Sequence, residues 1–185
     1  MARQMGMVID LRRCTGCHSC AVACKEENNV PPGIYLTRVV TIGPLGDFPH
    51  LRMSYKPLMC MHCGDAPCAK ACRVGAARKR QDGIVLIDPD QCDGCRECVG
   101  ACPYHACVLN EEKGFAQKCD FCSHRIDEGR EPRCVQTCPN GARRFGDISD
   151  PESDAGKLMR SAGTVVLKPK RASRPSVFYI EEGAP

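Results

Sequence analysis

Cys92-Asp93-Gly94-Cys95-Arg96-Glu97-Cys98-Val99-Gly100-Ala101-Cys102-Pro103 is the stretch from which the rest of the chain can be read. Its spacing, C-x2-C-x2-C-x3-C-P, is that of a bacterial ferredoxin loop. Three thiolates on a tight turn hold three corners of an iron-sulfur cube, and the fourth cysteine begins a helix aimed at a neighbouring cube. Sixteen of the seventeen cysteines fall into four such groups, the others being Cys14, Cys17, Cys20, Cys24; Cys60, Cys63, Cys68, Cys72; and Cys119, Cys122, Cys134, Cys138. Each opens with two cysteines three positions apart and closes with a pair four apart. The first group carries Lys25 where proline stands in the third. The second is longer by two residues in its middle gap, and the fourth holds Ser123 to Arg133 there, which loop-closure entropy tolerates because it grows slowly with length. Four groups predict four clusters.

Composition agrees with metal-stapled folding. The 185 residues include only four tyrosines, five phenylalanines and no tryptophan, so large side chains supply little core, and small domains with thin cores lean on metals or disulfides. The formal charge of +4 counts the cysteines as neutral thiols. With four thiolate-held cubes it becomes about −4, so the basic balance is no argument for nucleic acid. Arg12, Arg13, Arg96, Lys118 and Arg133 stand beside cysteine loops as candidate charge compensators. The N-terminus shows neither an apolar signal core nor a twin-arginine segment, and no window reaches the roughly eighteen apolar residues of a membrane span. The expectation is a soluble chain with no export address of its own.

Two internal repeats set the organisation. Met7-Val8-Ile9-Asp10 precedes Cys14 as Val85-Leu86-Ile87-Asp88 precedes Cys92, each a short buried strand followed by a Gly16 or Gly94 turn. Ala76, Ala106 and Ala142 each follow a closing cysteine by four positions, with Pro103 and Pro139 turning the chain away; Arg73 takes that place after Cys72 and is expected to raise its cluster's potential. Gly43 to Pro49 reads as a turn-rich connector, Pro151 to Ala162 as a helix capped by Asp150, and Val177 to Ile180 as a strand. From Thr164 onward, including Lys168 to Arg174, the tail reads as an arm lying on a partner or on the cluster core.

By the ferredoxin exchange of closing cysteines, the repeats pair group one with group four and group two with group three. The expected ligand sets are Cys14, Cys17, Cys20 with Cys138; Cys119, Cys122, Cys134 with Cys24; Cys92, Cys95, Cys98 with Cys72; and Cys60, Cys63, Cys68 with Cys102. The fold class that follows is α+β: two interlocked ferredoxin-like modules, an outer one of residues 1–54 plus 115–150 and an inner one of 55–114, then a C-terminal helix and arm over 151–185. Zinc also uses C-x2-C knuckles, but three cysteines at successive intervals of three would crowd one tetrahedral ion. A disulfide framework is opposed by the odd cysteine count and the spacing. Cys107, in an apolar run, reads as a small buried hydrophobe. His18, His62, His105 and His124 suit hydrogen bonding or the surface, and Met59 and Met61 suit shielding of a cluster. No acid/base pair, nucleophile elbow or phosphate loop is present, so the chain reads as a conductor of electrons rather than a catalyst.

The four-group layout, with Cys102-Pro103-Tyr104-His105-Ala106, Lys118-Cys119-Asp120-Phe121-Cys122-Ser123-His124-Arg125 and Cys134-Val135-Gln136-Thr137-Cys138-Pro139, resembles the iron-sulfur subunits of DMSO-reductase-family molybdopterin oxidoreductases. Among these it is most similar to the beta subunit of polysulfide reductase, through Phe145-Gly146-Asp147 and Asp150-Pro151-Glu152-Ser153. The resemblance implies an electron-transfer subunit attached to a large catalytic subunit carrying a Mo or W bis-molybdopterin guanine dinucleotide cofactor. It also implies a membrane quinone subunit or a soluble acceptor at the other end, in the cytoplasm or, by co-export with a twin-arginine-tagged partner, in the periplasm. It places the Cys14 cluster nearest the catalytic subunit and the Cys60 cluster farthest, beyond those of Cys24 and Cys92. With cysteine at 95, where some relatives carry tryptophan, all four are expected to be [4Fe-4S]. The alternative is a ferredoxin-like subunit of a hydrogenase or carbon monoxide dehydrogenase complex. The substrate belongs to the partner and is not written in this chain.

Overall fold

The computed structural model describes residues 3–161, 163–167 and 173–181. Its centre is β1 (Met5–Asp10), buried at all six positions, as a near-continuous apolar run covered on both faces should be. β1 lies in a four-stranded sheet of order β8 (Arg143–Asp147), β1, β10 (Val177–Ile180), β9 (Thr164–Val165). Met7 is opposite Phe145 in the antiparallel pair and Val177 in the parallel one. Three two-stranded hairpins complete the β content: β2 (Thr37–Leu45) with β3 (Arg52–Met59), β4 (Ala77–Lys79) with β5 (Val85–Ile87), and β6 (Val108–Asn110) with β7 (Phe115–Gln117). Helices α1 (Ser19–Glu27), α2 (Pro67–Ala71), α3 (Glu97–Ala101), α4 (Ser123–Asp127) and α5 (Arg133–Gln136) accompany the cysteine groups, and α6 (Asp154–Ser161) covers the sheet. The mixed helix and strand content is the one expected.

Strand pairing carries the closing cysteines away from their own groups. β8 follows Cys138 and pairs with β1, which leads into Cys14. β4 follows Cys72 and pairs with β5, which leads into Cys92. The sequence repeat is thus a repeat of backbone geometry, and it extends into the loops: Gly16 and Gly94 sit at φ +68° and +70°, followed two residues later by His18 and Arg96 at +60° and +64°. Left-handed backbone of this kind is costly for most side chains and suits glycine. A Cβ on Gly94 would also come within 2.7 Å of the Gly114 carbonyl oxygen.

The C-terminal segment carries the expected strand and touches the cysteine groups, but the strand is built into the main sheet. β10 is an inner strand of the main sheet, hydrogen-bonded on both sides, because Val177, Tyr179 and Ile180 are apolar enough to be fully buried beside β1. The preceding Ser173 and Arg174 lie along the second cysteine group, their carbonyls accepting from Asp65 (3.1 Å) and Gly64 (2.7 Å) amides. Residues 168–172 of the expected basic arm lie outside the described residues. α6 starts at Asp154 rather than Pro151: the Ser153 hydroxyl accepts from the Gly156 amide at 2.9 Å, while Asp150 only closes a turn on the Glu152 amide at 2.8 Å. Its expected last residue, Ala162, is outside the described residues. The connector expected at 43–49 is the end of a long hairpin whose apolar side chains are exposed, Phe48 most of all at 88%. One hydrophobic core runs from Met5 through Met61, Val85 and Phe121 to Tyr179, so the parts of the chain on either side of residues 55 and 115 share their interior.

Gly6 in β1 tests this packing. A Cβ there would lie 2.6 Å from the Ser176 carbonyl oxygen and 2.7 Å from Ile148 Cγ2, and the Ser176 oxygen already accepts from the Met7 amide at 3.0 Å. Gly6→Ala is expected to cost about 1–3 kcal/mol by overpacking, seen as a lower guanidinium unfolding midpoint; an unchanged midpoint would contradict the described register.

Candidate metal centre

Two cavities are walled by cysteines, and in each the fourth cysteine comes from a different group from the other three. Cys14, Cys17, Cys20 and Cys138 line one small cavity, bordered by Val39, Pro57, Pro139 and Arg143. Cys60, Cys63, Cys68 and Cys102 line another with Met61, Val85, Tyr104 and Cys107. Around Cys119 and Cys134 the group-one residue Cys24 is close enough for mutual charge repulsion. Asn28 Nδ2 points to both Cys24 Sγ (3.6 Å) and Cys122 Sγ (3.9 Å). For Cys72, Cys92, Cys95 and Cys98 the link is α2 packing on α3, together with Arg73, next to Cys72, holding Asp93, next to Cys92, at 2.9 Å.

The donor chemistry fits thiolate-held clusters. Backbone amides point at sulfur from the repeated segments: Ala142 to Cys138 at 3.2 Å, Ala77 to Cys72 at 3.3 Å and Ala106 to Cys102 at 3.4 Å, with Ala116 to Cys92 at 3.5 Å and Phe121 to Cys119 at 3.4 Å. Such donors favour the charged sulfur. Burial pushes the Cys24 thiol up to about 12 and the thiols of Cys63 and Cys122 up to about 11, so binding iron must expel protons from them.

Exposure differs along the set of sites. Cys17 is exposed and Cys14 and Cys138 half-buried; Cys72, Cys92 and Cys95 are half-buried; the cysteines of the Cys24/Cys119 and Cys60 sites are all buried. Contacts between sites give an order. Arg143 spans Cys20 and Cys134, Lys118 lies among Cys119, Cys60 and Cys68, and Cys107 contacts Cys68 and Cys102 on one side and Cys98 on the other. The succession is therefore Cys14, Cys24/Cys119, Cys60, Cys92. The order implied by the resemblance, with the Cys60 site last, is corrected in its final two places.

Cys107 is buried as expected, yet it is more than a space-filler. Its thiol lies against those of Cys68, Cys98 and Cys102 and favours their charged forms, while these three neighbours raise its own pKa. Of the five expected charge compensators, Arg12, Arg96 and Arg133 are engaged by carboxylates, Asp10 at 2.8 Å, Glu111 at 3.0 Å and Glu27 at 3.7 Å. Arg13 lines the Cys14 cavity. Lys118 alone is buried. Arg73 is an exposed partner of Asp93, so its positive charge is neutralised within a solvated pair and gives little basis for a raised potential. Arg143, which no cysteine loop marks out, is the largest fully buried side chain among the described residues. Its signal was the strand: beside Arg144, it is the member of the pair that faces inward from β8.

His62 is fully buried, stacked on Phe121 at 3.6 Å, and accepts from the Val85 amide at 3.1 Å; burial and the nearby Lys118 hold it neutral. His124 is half-exposed and bonds Glu27 at 2.9 Å. Met59 and Met61 are buried, Met61 against the Cys60 site.

The 4Fe-4S dicluster domain family matches residues 51–148. The chain is 43% identical to a Halobacterium salinarum protein named as a dimethyl sulfoxide reductase iron-sulfur subunit, over 95% of this chain and 78% of the relative. It is 34% identical to the arsenate respiratory reductase iron-sulfur subunit of a Shewanella species, over 96% of each. It is 43% identical to a tetrathionate reductase subunit of Salmonella typhimurium, over 94% of this chain and 71% of that one.

Lys25, which replaces the ferredoxin proline, fastens the following loop. Its Nζ donates to the Pro31 and Ile34 carbonyls, both at 2.7 Å, and lies 4.5 Å from the Tyr35 ring centre. It does so from inside α1, which runs on to Glu27. Lys25→Pro, which restores the ferredoxin motif, is expected to cost about 3 kcal/mol or more, measured by denaturant unfolding; a neutral or stabilising effect would contradict this role.

Proposed function

The chain belongs to the family of iron-sulfur subunits of DMSO-reductase-type molybdopterin oxidoreductases, and we propose that its sixteen grouped cysteines hold four [4Fe-4S] clusters forming a relay open to the surface at both ends. As an electron-transfer subunit it carries no catalytic role of its own. The ligand sets are Cys14, Cys17, Cys20, Cys138; Cys24, Cys119, Cys122, Cys134; Cys60, Cys63, Cys68, Cys102; and Cys72, Cys92, Cys95, Cys98. The observation that carries this reading is the enclosure of one cavity by Cys138 together with Cys14, Cys17 and Cys20, repeated by Cys102 with Cys60, Cys63 and Cys68. Residues 1–54 with 115–150 then form the outer two-cluster module and 55–114 the inner one.

Each bound cluster supplies a site that takes up and returns one electron. The chain's own residues do the rest. Amides of Ala77, Ala106, Ala116, Phe121 and Ala142 hold the sulfurs as acceptors, and Met61, Val85 and Tyr104 close the Cys60 cavity against water. The exposed edge at Cys17 is the face offered to the large catalytic subunit with its Mo or W bis-molybdopterin guanine dinucleotide. The half-buried Cys92 edge is the face offered to a membrane quinone subunit or another acceptor. No helix among the described residues is long and apolar enough to cross a membrane. The relatives are named for dimethyl sulfoxide, arsenate and tetrathionate; the substrate follows the partner.

Anaerobic purification of the tagged full chain from its own cells should bring down a large molybdopterin-containing subunit; a nickel enzyme in its place would contradict the reading. Cys138→Ala should remove the EPR signal of the Cys14 site and leave that of the Cys119 site, although Cys138 belongs in sequence with Cys119. Loss of the Cys119 signal instead would contradict the exchange of closing cysteines.

A further inference from the structure

Among the described residues two cations are buried without a carboxylate partner. Arg143 is 1% exposed. Its Nη1 donates toward Met59 Sδ (3.3 Å), Cys134 Sγ (3.5 Å) and Met7 Sδ (3.7 Å), and its Nη2 toward Cys20 Sγ (3.4 Å) and Thr37 Oγ1 (3.2 Å). Four of these five acceptors are sulfur. Lys118 is 5% exposed; its Nζ donates to the Val85 carbonyl and, at 2.9 Å, to that of Cys119. Among the described residues neither takes part in an ion pair.

A buried guanidinium or ammonium normally sits opposite a carboxylate, because an unpaired charge away from water is heavily penalised. Here cysteine sulfurs stand where the carboxylate would, Cys20 and Cys134 against Arg143. Lys118 directly precedes Cys119, and the Val85 carbonyl that it reaches belongs to a residue lining the Cys60 cavity. Each cation also stands at a junction. Cys20 and Cys134, which Arg143 touches, belong to different ligand sets, and so do Cys119 and Cys60, which flank Lys118.

We infer that Arg143 and Lys118 are positioning charges of the relay, each raising the reduction potentials of the two clusters it lies between. The inference rests on the four-cluster reading above. Uptake of one electron, delivered by the donor subunit, deepens the charge of a thiolate-held cube from about −2 to about −3, and a fixed cation within a dry site favours the more negative state. Arg143 acts on the Cys14 and Cys24/Cys119 sites, Lys118 on the Cys24/Cys119 and Cys60 sites. The Cys92 site, next to neither, is set by other groups.

The test is an EPR-monitored redox titration of the anaerobically purified, iron-loaded full chain in its complex, with Arg143→Met, Arg143→Lys, Lys118→Met and Lys118→Arg. Each Met variant should lower two of four midpoints by at least a tenfold change in the oxidised-to-reduced ratio at fixed potential, about 59 mV for a one-electron couple. One midpoint should move in both variants and one in neither, while the charge-conserving variants stay near wild type. Unmoved midpoints, a uniform shift of all four, or charge-conserving variants that shift as far as the Met variants would overturn the inference. Where a Met variant fails to load iron, its charge-conserving counterpart must load fully and keep its midpoints; failure of both would show that shape, not charge, is needed. Fewer than four midpoints in the wild-type complex would instead overturn the four-cluster reading itself, and this inference with it.

Discussion

Negative charge on sulfur, gathered inside a chain with little apolar core, is the constraint that the rest of the structure answers. Thiolates so buried need partners of opposite sign or hydrogen-bond donors, and the chain supplies both from its backbone and from two cations. The alanine four residues past a closing cysteine is useful because its segment turns back and presents an amide to that sulfur, as Ala106 does to Cys102 and Ala142 to Cys138. Arg143 reaches the sulfurs from the central sheet, since β8 is pinned to β1 directly opposite Ile9. Metal, sheet and buried charge therefore depend on one another, as expected of a domain whose binding and folding are one event.

Much of this was legible in the sequence because cysteine spacing is a geometric statement. The four groups and the repeat of strand and glycine turn follow from ligand reach and backbone permissiveness, and the proposed exchange of closing cysteines rests on the same reach. β1 and β5 were legible as apolar runs of strand length. The hairpin of β2 and β3 was hidden because Gly43, Pro44, Gly46 and Pro49 read as turn signals, although they stand around one long irregular ribbon end. β10 was recognised as a strand but not as an inner one, because which strands become neighbours is decided by tertiary pairing over most of the chain length. Arg143 was missed for the same reason: a charged side chain is usually solvated, and only its partner strand shows that it faces the interior. Lys118, next to a cysteine, could be suspected from position alone.

The succession of sites ties the fold to electron transfer. The cysteines grouped around Cys119 and Cys60 are buried while Cys14, Cys17, Cys72, Cys92, Cys95 and Cys138 are partly open or exposed, as the proposed relay needs if electrons are to enter at one face and leave at another. Cys107, shared by the Cys60 and Cys92 sites, and the two cations, shared by the others, place one polar group at every junction. Residues that touch two sites at once are where a change in the occupancy of one can be felt by the next.

Iron and acid-labile sulfide analysis of the anaerobically purified full chain tests the central claim most directly. Four thiolate-held cubes require about sixteen of each per chain. A content near eight, or zinc in place of iron, would contradict the account.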